Sequence, residues 1–181
     1  MIYLLRFLLT VMVSALGFTA AIAFHLIESP FTHIQMAIVS FLFTIFIQAF
    51  VMFYFIGVSR LSNNIYLILF EEINLDELFE NAPKDLSPYL EKAKIFSKDT
   101  TRCKRQTIPW TMLILVLGTL GFLLGGAHDT NLVQKTTHSG VIYGFFMATV
   151  IGFVRQWYFL GLANKTLRKI KTLFSIPDGS M

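Results

Sequence analysis

The chain has 181 residues, of which 55% are hydrophobic and 14% charged, and its mean hydropathy is +0.63. A water-soluble domain of this length cannot bury so much apolar surface, so the composition excludes an ordinary soluble enzyme and implies a lipid solvent. The net charge of +4 and the isoelectric point near 9.3 do not argue for nucleic acid, because membrane proteins gather Lys and Arg on their cytoplasmic side.

A hydrocarbon core needs roughly 20 helical residues to cross. The first stretch that meets this is 3–24. Its Ala20, Ala21 and Ala23 resemble a signal-peptidase site, but the apolar run is longer than a signal core, so it is read as a retained helix. His25 and Glu28 follow, and His33 opens the second stretch, 34–58, where Ser40, Thr44 and Gln48 are the notable deep polar groups. Residues 59–107 are too few and too charged for an independent enzyme domain. Within them, residues 65–80 mix Ile65, Leu69, Ile73, Leu75, Leu78 and Phe79 with acidic groups and read as an amphipathic strip for membrane-surface contact or for docking other subunits of a complex. Ser87 and Pro88 suit the cap and first turn of a further helix. The third stretch, 108–127, carries Gly118, Gly121, Gly125 and Gly126, with His128 and Asp129 just after it. His138 opens the fourth, 140–162, and the tail from Asn164 to Phe174 is expected to prolong that helix.

Basic residues set the orientation. The long connector holds Arg60, Lys84, Lys92, Lys94, Lys98, Arg102, Lys104 and Arg105, and the tail adds Lys165, Arg168, Lys169 and Lys171, whereas the two short loops contain only Lys135. Both termini and the connector are therefore expected in the cytoplasm, with the protein in a membrane of the bacterial inner (plasma) type. The lone Cys103 falls on that reducing side and has no partner for a disulfide.

The expected fold is all-α, a polytopic four-transmembrane-helix bundle made of two similar helical hairpins: 1–58 and 108–181 around a helical connector, 59–107. The likeness rests on Tyr54-Phe55-Ile56-Gly57-Val58 against Tyr158-Phe159-Leu160-Gly161-Leu162, on Leu16-Gly17-Phe18 against Leu120-Gly121-Phe122, and on the placement of the histidines. Copies separated by an even number of spans share one orientation and are related by an axis along the membrane normal. The small residues of the first and third spans predict that those two form the packing centre, with the Phe-rich second and fourth outside. Arg6 and Arg155, near the inner edge, are expected to reach the headgroups.

No phosphate loop, zinc-spaced cysteines, His-Glu-x-x-His or nucleophile elbow occurs. The main expectation is a non-catalytic membrane subunit or accessory protein. The alternative class is a small redox protein or anchor, because His25, His33, His128 and His138, one at the outer end of each span, offer ligands for haem b or a transition metal. Glu28 and Asp129 are able to complete a metal set.

Overall fold

The structure, a computed structural model, describes residues 1–79, 83, 85–130 and 132–174, without the Asp129 side chain. Lys84 and residue 80, the last of the strip, lie outside that set. The described residues form four α-helices and one short 3-10 turn, with no strand: α1 Ile2–Ala23, α2 His33–Glu71, the turn Leu75–Glu77, α3 Ser87–Asp129 and α4 Lys135–Leu173. All four helices are long and apolar enough to cross a membrane.

Helix length divides the molecule. α1, with 22 residues, is about 33 Å long and matches a hydrocarbon core of about 30 Å. α2, α3 and α4, with 39, 43 and 39 residues, run about 58–64 Å and overshoot it almost twofold. Three helices therefore continue beyond the end where α1 begins. Two apolar cores follow this division. One, around Leu5, Leu9, Met12, Ile47, Val51, Phe55, Ile114 and Leu160, joins all four helices. The other, around Ile65, Leu69, Ala93, Phe96, Ile170 and Phe174, holds the three-helix extension together.

Large apolar side chains are also exposed along the four-helix part, among them Phe7, Leu42, Phe46, Phe53, Leu123, Met147 and Val154. Water would penalise each of them, whereas hydrocarbon tails solvate them.

Local signals explain the helix ends. Thr32 and Gln35 form a reciprocal capping box at the start of α2, with the Gln35 N–H donating to Thr32 Oγ1 (3.3 Å) and the Thr32 N–H to Gln35 Oε1 (3.1 Å). α2 stops where Glu72 turns left-handed at φ 54°. Ser87 is the first helical residue of α3 rather than its cap; its N–H donates to Asp85 Oδ1 at 3.0 Å, so the carboxylate supplies the capping acceptor. Pro109 lies inside α3, where its missing N–H interrupts the backbone ladder.

The packing order differs from the sequence expectation. α1 packs on α2 and α4, α3 packs on the same two, and α2 and α4 also meet across the middle. The reason lies in which α1 side chains face inward: Leu5, Leu9, Met12 and Leu16 are buried, while Ser14 and Gly17 are exposed. Small residues act as expected only on α3. A side chain at Gly121 would meet Ile142 Cδ1 at 2.7 Å, and one at Gly125 would meet His138 Cε1 at 3.2 Å. Gly118 receives Phe145, and in return Gly152 of α4 receives Ile114. The Gly-x-x-x-Gly spacing thus seats α4 within the same chain.

Candidate functional site

Polar chemistry inside the four-helix part concentrates at one level. Gln48 and Gln156 are wholly buried and exchange amide hydrogen bonds, with Gln156 Nε2 donating to Gln48 Oε1 at 2.7 Å and Gln48 Nε2 to Gln156 Oε1 at 3.5 Å. Gln156 Nε2 also donates to Thr111 Oγ1 (3.1 Å), and Gln48 Nε2 lies 3.5 Å from Met12 Sδ. All four helices meet in this node. An amide has no water to bond with at that depth, so each needs the other. Nearby hydroxyls turn back to their own helices, as Thr44 does to the Ser40 carbonyl (2.7 Å) and Thr107 to that of Cys103 (2.8 Å). Ser40 instead bonds Thr19 of α1 at 2.8 Å. The group holds no charge, and its bonds fasten the four helices to one another.

The two arginines fold back onto the protein. Arg6 donates from Nη2 to the Trp157 carbonyl at 3.1 Å and lies over that indole, 4.8 Å from its centroid. Arg155 donates to the carbonyl and the side-chain oxygen of Gln106, beside Pro109, and lies 5.5 Å from the Trp110 centroid.

The candidate ligands at the opposite end separate by hairpin. His25, Glu28 and His33 are exposed and line one open recess with Ile22, Pro30 and Phe31. His25 takes a left-handed turn at φ 54° just after α1. His128 and His138 stack across the α3–α4 turn, with ring centroids 6.0 Å apart and planes 15° from parallel. The bare backbone of Gly125 makes room for the His138 ring. His128 Nδ1 lies 3.3 Å from the Val133 carbonyl, which only accepts, so the proton sits on Nδ1. Among the described residues no three His, Cys, Asp or Glu side chains are grouped to hold a metal ion.

In the connector, the apolar strip is largely turned inward. Ile65 and Leu69 are buried in the extension core, and Leu75, Leu78 and Phe79 pack against it. Phe70 and Ile73 remain 61% and 56% exposed, and Leu67 joins Ile73, Asn64, Ile68, Glu71 and Asn74 around a shallow groove.

Sequence reading missed Gln156 and Thr111. A lone Gln48 in a lipid-embedded helix was itself the signal to look for a second amide on another span. No family model, curated protein or solved structure matches this chain.

Proposed function

We propose that this chain is a non-catalytic integral membrane subunit or accessory protein whose three-helix extension carries the contact with other subunits. The observation that carries the reading is the exposed apolar remainder of the strip. Phe70 is twelve residues past the second apolar stretch, about 18 Å along the helix, and so lies beyond the reach of lipid tails. Leu67 and Ile73, grouped with Asn64, Glu71 and Asn74 around a groove, and the exposed Phe70 give this watery level an apolar surface that suits a protein partner. The positive-inside argument assigns this end to the cytoplasm. The likeness of the two hairpins supports descent from a duplicated unit, consistent with an assembly scaffold.

The test is extraction of tagged protein from its native membrane in mild detergent. Polypeptides should co-purify with the wild type and be lost from Phe70→Asp/Ile73→Asp, while both proteins insert equally. Retention of the same polypeptides by the double variant would refute the contact. A second reading, a metal or haem held at the outer face, draws on the four histidines at the outer helix ends, of which His25 and His33 line one recess with Glu28. Metal analysis and an absorption spectrum of the same preparation decide it. Neither stoichiometric metal nor a Soret band would leave the histidines as interfacial residues.

A further inference from the structure

We propose that the basic side of the bundle where the start of α1 meets the inner part of α4 binds the headgroup phosphate of an anionic phospholipid. The inference starts from Arg6. Its guanidinium is laid against the α4 backbone because residue 161 is glycine; a Cβ there would stand 2.7 Å from Nη2. The Trp157 carbonyl holds one nitrogen and the indole lies beneath the plane, so the group is fixed before any ligand arrives.

Charge is the second observation. α1 and α4 contain Arg6, Lys135, Arg155, Lys165, Arg168, Lys169 and Lys171 and not one Asp or Glu. α2 carries its only carboxylate, Glu71, at its far end. No carboxylate of α1 or α4, and none of α2 short of its far end, therefore stands against the Arg6 charge.

Register supplies further cations. Positions 157, 161, 165 and 168 recur at helical spacing on one side of α4. α1 and α4 run antiparallel, so Lys165 and Arg168, both exposed, lie level with and just past the first turn of α1. Gly161 and Arg168 are about 10 Å apart along the helix, close to one Debye length in physiological salt. The unpaired N–H groups of that first turn point the same way, since no side chain caps it.

Depth selects the anion's source. Arg6 and Gly161 sit where the apolar belt ends, the level of lipid phosphates. Guanidinium presents paired donors to phosphate oxygens, and Trp157 and exposed Tyr158 are interfacial residues that flank a headgroup.

The experiment uses the full chain in phosphatidylcholine nanodiscs, titrated with phosphatidylglycerol and read by native mass spectrometry of retained lipid. Wild-type protein should retain phosphatidylglycerol over phosphatidylcholine. Arg6→Gln and Arg168→Gln should each weaken that retention about fivefold, while Lys135→Gln, at the opposite end, should not change it. Arg168 is exposed and serves no packing role, so its variant decides the matter even if Arg6→Gln fails to fold. Equal retention of both lipids, an equal loss in Lys135→Gln, or an unchanged Arg168→Gln would overturn the site. Displacement of the lipid by millimolar inorganic phosphate would also overturn it, by showing a soluble-anion site instead.

Discussion

Buried amides set the strongest residue-scale constraint. Removing one partner of the Gln48–Gln156 pair leaves the other unsatisfied in a medium without water, whereas removing both leaves only a packing change. Gln156→Leu should destabilise the bundle by about 1–2 kcal/mol, and Gln48→Leu/Gln156→Leu should recover most of that loss, as measured by reversible unfolding in mixed micelles. Additive losses in the double variant would contradict the reciprocal bonding. Asp85 gives a pH-dependent case. Hydrogen bonds from the backbone N–H and side chain of Ser87 hold its carboxyl below its ordinary value of 3.8. The group is fully exposed, so its effect is local. Because the folded value is the lower one, its help to the start of α3 is complete above the unfolded value and disappears as pH falls through the folded one. Amide exchange at Ser87 should quicken over that acidic range and lose its pH step in Asp85→Asn. Cys103 is wholly buried, so the folded protein should resist maleimide and react only when denatured.

At the scale of elements, the seam between α3 and α4 depends on absent side chains. Gly121→Leu should cost about 1–3 kcal/mol because Ile142 already occupies the space, whereas Gly126→Leu, with nothing within 4 Å, should be nearly neutral. Equal effects in a thermal melt would argue against the seam. The four spans were legible because an apolar run of the right length has one stable fate in lipid. The arrangement of those spans was not. Counting small residues put α1 at the centre, yet periodicity within it shows Leu5, Leu9, Met12 and Leu16 on one face, and that face is the buried one. The strip at 65–80 was legible only in part, for a related reason. Its amphipathic pattern says that one side is buried but not by what, and here α3 and α4 cover Ile65 and Leu69. For the histidines, sequence placed all four at helix ends, but only the turns decide which rings meet. His128 and His138 meet because Gly125 leaves room.

The whole molecule combines a lipid-solvated four-helix part with a shorter three-helix extension. Exposed apolar side chains belt the first, and the second carries Lys94, Lys98, Arg102, Arg105, Lys165, Arg168 and Lys169 on its surface. The proposed partner contact lies on the extension, and the basic-residue asymmetry predicts that this end faces the cytoplasm. The inertness of Cys103 allows single reporter cysteines to be read without background. Leu132→Cys, in the exposed α3–α4 turn, and Asp76→Cys, at the exposed tip of the extension, should be treated in intact cells with a membrane-impermeant maleimide. Labelling is expected at position 132 in intact cells and at position 76 only after lysis; labelling of position 76 in intact cells, with position 132 protected, would contradict the cytoplasmic placement of the extension.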